Sequence, residues 1–77
     1  MINVNKLKGK IVENGLSVAD VAKAIGIGTA SLYRKMNGKE ETMYVKDAYA
    51  IGQLLKLSTD EMNAIFFAPN VSNMRQD

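Results

Sequence analysis

Residues 16–38, LSVADVAKAIGIGTASLYRKMNG, decide the fold of this chain, because two short helical patterns meet in them at a glycine. Ser17 opens the first helix as an N-cap, and Asp20 three residues later completes an acidic variant of the capping box. Gly26 ends this helix, since the chain must turn sharply there with a positive φ that glycine adopts at little steric cost. The first half of the stretch therefore predicts a capped helix followed by a tight turn.

The second helix of the stretch begins at Gly28 and continues to about Asn37, where a glycine closes it. Leu32 and Met36 are four residues apart and share the inner face of this helix. Two short helices that cross steeply need a small residue where they touch, and Ala22 stands at that place. The apolar residues expected to hold the corner together are Val21, Ile25, Ile27 and Leu32.

Three more helical segments surround this stretch. Helix 1 is predicted over about residues 3–14 and helix 4 over about 45–55, and Ser58 with Glu61 forms a second capping box that starts helix 5. Apolar residues three and four apart give each helix one buried side. These residues are Val4, Leu7 and Ile11 in helix 1, Ala48, Ile51 and Leu55 in helix 4, and Met62, Ile65 and Phe66 in helix 5. We therefore predict a compact, all-α, five-helix domain over residues 1–68 and a loose polar tail over 69–77.

Length and composition exclude several classes of protein. A chain of 77 residues suffices for one small domain. It has no cysteine for a disulfide, and its polar N-terminus carries no apolar core of a signal peptide. No apolar run approaches the length that spans a bilayer, so we expect no membrane contact and a cytoplasmic location.

Catalytic chemistry is not expected either. The chain has no histidine and no cysteine, and it lacks both a glycine loop that cradles phosphate and a cluster of metal ligands. The paired carboxylates Glu40–Glu41 and Asp60–Glu61 belong to a loop and to the first turn of a helix, where acids favour capping. We therefore predict that the protein is not an enzyme, needs no cofactor or metal, and has no evident small-molecule ligand.

Charge is distributed unevenly along the chain. Residues 1–39 contain seven Lys and Arg against two acidic residues, whereas residues 40–77 contain three against six. The half with the paired short helices therefore carries a net charge of +5 and the other half −3, which gives the +2 of the whole chain. A positive field around these helices favours a polyanionic partner, although solvated helix faces explain the same charges equally well.

The outer face of helix 3, the second of the two short helices, has side chains suited to reading DNA. Two helices joined in this way form a helix-turn-helix, whose second helix enters the major groove of double-stranded DNA. Arg34 can bind a guanine through O6 and N7, Thr29 can donate or accept a hydrogen bond, and Ala30 can contact a thymine methyl. Tyr33 can bond a phosphate or stack. The predicted base-reading residues are therefore Thr29, Ala30, Tyr33 and Arg34.

The ends of the two short helices are suited to the phosphate backbone. Free N–H groups at a helix start carry a positive partial charge that attracts phosphate oxygens. The predicted contacts of this kind are the N–H groups of Ser17, Val18, Gly28 and Thr29. Asn37, Gly38 and Lys39 leave helix 3 near the opposite phosphates, and further cationic contacts are expected from Lys35, Lys6, Lys8 and Lys10. About six such contacts make DNA binding fall steeply with salt.

Most of the chain, from about Lys6 to Phe67, resembles the lambda-repressor-like helix-turn-helix domains, the Cro/CI or XRE family of phage and bacterial regulators. The resemblance lies in the LS-x-x-x-VA-x-x-IGIG corner, the closing Asn37–Gly38, and LLKLSTDEM between helices 4 and 5. It implies a five-helix fold, a homodimer on a double-stranded operator, and repression or switching of transcription at the nucleoid of a bacterial host. It also implies base-reading roles for Thr29, Ala30, Tyr33 and Arg34. Positions on the phosphate side of the family are matched by Ser17, Val18, Gly28, Ser31, Asn37 and Lys39.

Three positions depart from the pattern of that family. Val18 stands where a glutamine usually clamps a phosphate, so only its backbone can make that contact. Lys35 occupies a commonly apolar position and is expected to be buried only along its methylene stem. Glu40 and Glu41 lie in a loop that is basic in many relatives. Each departure lowers the affinity for a single half-site, which increases the need for a dimer or a partner.

The same sequence pattern is compatible with a second interpretation. A helix-turn-helix can be plain packing architecture, or it can belong to a domain that has lost DNA binding and docks a protein, such as an antitoxin or an anti-repressor. A stable protein partner, together with DNA affinity that barely responds to salt, would distinguish this alternative from a repressor.

Overall fold

The computed structural model of the protein describes residues 2–38 and 42–67, and these residues contain five α-helices and no strand. The helices are α1 (Val4–Glu13), α2 (Val18–Ile25), α3 (Thr29–Asn37), α4 (Val45–Leu54) and α5 (Thr59–Met62), and a π-helical turn, Asn63–Phe67, continues α5. The predicted all-α, five-helix class is confirmed. The predicted tail, residues 69–77, lies outside the described residues.

Side-chain caps explain where two of the helices begin. Ser17 Oγ accepts a hydrogen bond from the Asp20 N–H at 3.1 Å, and the Asp20 carboxylate accepts one from the Ser17 N–H at 2.8 Å. Ser58 and Glu61 repeat this arrangement at the start of α5, with distances of 3.1 and 2.8 Å. Both predicted capping boxes are therefore confirmed, and each satisfies two N–H groups that a helix start leaves unpaired.

Left-handed residues end the first four helices. The chain leaves α1, α2 and α3 at Gly15, Gly26 and Gly38, all with positive φ. The end of α4 differs, because Lys56, with a φ of +57°, occupies the left-handed position there. The Leu57 N–H donates to the Gly52 carbonyl at 2.9 Å and closes this last turn.

The core lies between all of these elements. Its buried apolar residues in the described part of the chain are Leu7, Ile11, Val21, Ala22, Leu32, Met36, Ala48, Ile51, Leu55, Ile65 and Phe66. The other residues predicted to face inward are only partly buried, and they are Val4, Ile25, Ile27 and Met62. Helix α2 lies at the centre of the arrangement and contacts α1, α3 and α4. The position of α3 is therefore set mainly by its packing on α2.

Candidate nucleic-acid interface

The corner between α2 and α3 is formed by Gly26, whose φ of +84° and ψ of +27° lie in the left-handed region. The Ile27 N–H donates to the Ala22 carbonyl at 3.0 Å, so a final carbonyl of α2 is satisfied within the turn. Gly28 returns to extended backbone, with a φ of −73° and a ψ of 152°, and α3 begins at the next residue. The structure thus contains the helix, glycine corner and helix that the sequence predicts.

Helix α3 has one buried and one exposed face. Leu32 and Met36 point into the core and are 0% and 3% exposed. The four predicted base-reading residues, Thr29, Ala30, Tyr33 and Arg34, are all exposed. A methyl group, a guanidinium and two hydroxyls are therefore accessible in the first turn and the middle of α3. This combination can make both apolar and hydrogen-bonded contacts with base edges.

At the start of α2, an N–H group that was predicted to be free is hydrogen-bonded within the protein. The Ser17 N–H, predicted as a free phosphate donor, already donates to the Asp20 carboxylate. This bond, with a smaller contribution from the Ser17 hydroxyl, holds the pKa of Asp20 below its ordinary value of 3.8. The expectation of a free N–H at Ser17 is therefore wrong. Val18 is half-buried and packs against the core.

The remaining predicted phosphate contacts lie around α3. Gly28 and Asn37 are exposed at its two ends, and Ser31 is half-buried in its first turn. Gly28, the N-cap, has no side chain to occupy the first N–H groups of this helix. Lys39 lies outside the described residues.

Lys35 is the predicted phosphate contact that the structure contradicts. Its side chain is only 10% exposed, and its Nζ lies 3.3 Å from Oδ2 of Asp47 and 3.0 Å from the carbonyl oxygen of Thr42. The ring of Tyr44 is centred 4.9 Å from the same nitrogen. An ammonium buried and bonded in this way is not available to a phosphate, so the structure contradicts the prediction. The ammonium is buried along with the stem, because Asp47 supplies the counter-charge that makes this burial tolerable.

The sequence analysis did not predict that Asp47 and Tyr44 contact Lys35. Asp47 is 9% exposed, and its Oδ2 also accepts a hydrogen bond from the Tyr44 N–H at 3.2 Å. The signal available in the sequence was an acidic residue three positions after the residue that precedes α4, which is the spacing of a capping box. A tyrosine at the N-cap position obscured it, because the usual N-caps are Ser, Thr, Asp and Asn.

Lys10, which was expected to contact phosphate, is also paired within the protein. Its Nζ forms ion pairs with Glu61 and, at 3.1 Å, with Glu13. Hydrogen bonding to Glu61, then to Glu13, raises the pKa of Lys10 above its ordinary value of 10.5. In return, Lys10 and the Ser58 N–H lower the pKa of Glu61 to about 2. Lys10 therefore joins α1 to α5, while Lys6 and Lys8 lie exposed on α1.

A helix, a glycine corner and a second helix with an exposed outer face define the class of helix-turn-helix domains. Residues 6–65 match the family model of the Cro/C1-type HTH DNA-binding domain. The match covers more than half of the chain, and the protein therefore belongs to the Cro/C1-type helix-turn-helix family of DNA-binding regulators. The resemblance inferred from the sequence is confirmed.

No curated protein sequence and no solved structure matches the chain. Among the described helices, none is both long enough and apolar enough to cross a bilayer.

Proposed function

We propose that this protein is a transcriptional repressor of the phage or prophage type, which binds a two-fold-symmetric operator as a homodimer. The observation that carries the proposal is the exposure of Thr29 and Ala30 in the first turn of α3 and of Tyr33 and Arg34 in its middle, while Leu32 and Met36 are buried in the core. A helix with one face locked in the core and the other free can enter a major groove as a rigid unit.

In this proposal, residues in the first turn and in the middle of α3 contact the base edges. Arg34 binds a guanine through O6 and N7, and Thr29 bonds a neighbouring base edge. Ala30 contacts a thymine methyl, and Tyr33 bonds a phosphate or stacks. All four residues are exposed in the structure.

The proposed phosphate contacts position the domain without reading sequence. They are the hydroxyl of Ser17, the N–H groups of Val18, Gly28 and Thr29, and the side chains of Ser31, Asn37 and Lys39. Lys35 is removed from this set because its ammonium is paired with Asp47. Lys10 is removed for the same reason, since Glu13 and Glu61 hold it.

Dimeric binding follows from the small number of base contacts available to one domain. Four base-reading side chains cover only a few base pairs, and two copies related by a two-fold axis double that number. The operator is then a palindrome with half-sites about one helical turn apart. Occupying such a site at a promoter in a bacterial cell blocks transcription from it.

The test is selection of bound duplexes from a pool of random sequences, at low salt and at near-physiological salt. A palindromic consensus that persists at the higher salt supports a dimeric, sequence-specific repressor. Binding that disappears at moderate salt without any sequence preference contradicts it. That result, together with a stable protein partner, would favour the alternative of an antitoxin or an anti-repressor on the same fold.

A further inference from the structure

We propose that the buried ion pair between Lys35 and Asp47 positions α3 for DNA binding by tying the last turns of this helix to the start of α4. The inference rests on the proposed operator binding. Lys35 and Asp47 are positioning residues here, and neither contacts DNA.

The pair joins three parts of the chain at one point. Lys35 is in α3, Thr42 precedes α4, and Asp47 is in the first turn of α4. Nζ of Lys35 donates to the Thr42 carbonyl at 3.0 Å and to Oδ2 of Asp47 at 3.3 Å, and that same Oδ2 accepts the Tyr44 N–H at 3.2 Å. A single carboxylate oxygen therefore links the side chain of α3 to the backbone that starts α4.

This link is a contact between α3 and α4 that adds to the packing of each helix on α2. The helix packs chiefly against α2, and α4 packs against α2 as well. Leu32 and Met36 anchor α3 in the common core. Apolar contacts of this kind hold a helix in place but tolerate small rotations and slides, whereas charged hydrogen bonds are directional. The Lys35 ammonium adds such a directional contact between α3 and α4.

The location of the pair connects it to the proposed DNA contacts. Arg34 directly precedes Lys35, and Asn37 follows two residues later in the last turn of α3. The bond from Lys35 to Thr42 also joins α3 to the residues that directly precede α4. A shift of the last turns of α3 would therefore move Arg34, a proposed base-reading residue, and Asn37, a proposed phosphate contact, together.

Stability alone does not require charges at this place. A buried ion pair loses hydration, and apolar residues of similar volume often stabilise a fold as well or better. Removing only one partner is different, because it leaves the other charge buried without compensation. Stability and positioning can therefore be separated by replacing one member of the pair and then both.

The experiment compares Asp47→Asn with the double variant Lys35→Met, Asp47→Asn. Asparagine keeps an oxygen that can accept the Tyr44 N–H, and methionine keeps the length of the lysine stem. The double variant Lys46→Met, Asp60→Asn is the control, because it removes the same two charges from exposed positions in α4 and α5. Thermal unfolding and affinity for the selected operator are measured for each protein.

We expect Asp47→Asn to lower both the melting temperature and the operator affinity. In the double variant we expect the melting temperature to return to the wild-type value or above, while the operator affinity stays about 5- to 20-fold weaker. The control should bind as the wild type does. If the double variant recovers affinity together with stability, the pair is only structural and the inference is wrong. If the double variant fails to fold, Asp47→Asn is measured well below its melting temperature, and wild-type affinity there overturns the inference.

A measurement without DNA distinguishes this inference from the proposed function. Backbone amide chemical shifts of the free double variant should change through the last turns of α3, from Arg34 to Gly38. Changes confined to the substituted residues would overturn the inference even if the wild type binds its operator. If the wild type shows no sequence-selective binding but the amide chemical shifts of α3 change in the variant, only the proposed function is contradicted.

Discussion

Individual charged residues in this domain divide into those that hold the fold together and those that remain on its surface. Lys10 and Lys35 belong to the first group, because acids from distant parts of the chain neutralise them. Lys6, Lys8 and Lys23 belong to the second and are exposed on α1 and α2. The positive charge that the sequence concentrates in residues 1–39 is therefore only partly presented to a partner.

The pairing of Glu61 predicts a loss of stability in acid. Its pKa in the folded protein is about 2, against an ordinary value of 4.5. The stabilisation from Lys10 and from the Ser58 N–H is therefore fully present above the ordinary pKa and is lost as the pH falls from there towards 2. We expect the melting temperature, followed by circular dichroism, to fall through this window.

Glu61→Gln should lower the melting temperature at neutral pH and make it less dependent on pH in the same acidic window. Asp60→Asn is the matched control, because it removes a carboxylate from the same helical turn without touching Lys10. An equal change in the pH profile of both variants would contradict the assignment to Glu61.

Arg34 is expected to contribute sequence preference. Arg34→Ala should weaken binding to the selected operator by about 1–3 kcal/mol and relax the preference at one base pair. Lys39→Ala should instead weaken binding to all DNA sequences about equally, since a phosphate contact does not depend on base sequence. Fluorescence anisotropy with operator and random duplexes separates the two effects.

Lys46→Ala, which removes an exposed charge from α4, is the control for nonspecific electrostatics in that assay. Equal losses on operator and random DNA for Arg34→Ala would contradict its base-reading role.

At the scale of elements, the corner between α2 and α3 is the feature on which the site depends. Gly26 adopts a left-handed φ there, and the Ile27 N–H caps the Ala22 carbonyl across it. The length of α2 and the direction of α3 both follow from this turn. The start of α3 is then left without a side-chain cap, whereas α2 and α5 begin with full capping boxes.

The same substitution at two glycines should have opposite effects. An added Cβ meets no atom within 4 Å at either Gly26 or Gly9, so steric crowding by neighbours does not distinguish them. Gly26→Ala is expected to cost about 1–2 kcal/mol, because alanine is strained at a left-handed φ. Gly9→Ala, within α1, is expected to stabilise the fold by about 0.5–1 kcal/mol by restricting the unfolded chain.

Urea denaturation with both variants measures these changes in the free energy of unfolding. A stability change of the same sign for the two substitutions would show that backbone conformation does not control the corner.

At the scale of the whole molecule, a small apolar core holds the helices together. Eleven apolar residues of the described chain are buried, and Ile51 of α4 is among those with no exposed surface. In a domain of this size each large core residue carries a considerable share of the stability. The orientation of α3 thus depends on residues buried in the core, away from its exposed surface.

Truncation of the core should therefore affect DNA binding through folding. Ile51→Ala is expected to cost about 2–5 kcal/mol, against a total of about 5–15 kcal/mol for a typical domain. Val12→Ala removes a similar side chain that is 72% exposed, and we expect a change within about 0.5 kcal/mol. Unfolding in urea distinguishes the two, and a small effect at Ile51 would indicate a core that repacks freely.

The sequence alone was sufficient to predict the helices, the capping boxes of α2 and α5, the glycine corner, and which residues of α3 are exposed. These features depend on contacts within about four residues, and such contacts are visible as spacing. The family membership followed from the same local pattern. The predicted roles of the exposed α3 residues in reading bases stay predictions.

Only the tertiary structure determined which charged side chains are paired within the protein and which remain exposed. Lys35 is paired with an acid 12 positions along the chain, and Lys10 with Glu61 in α5. No local spacing relates these residues, so the sequence pattern treated both lysines as surface charges. Whether an ammonium faces water, phosphate or a buried carboxylate depends on which helices the core brings together, and that is a property of the packed molecule.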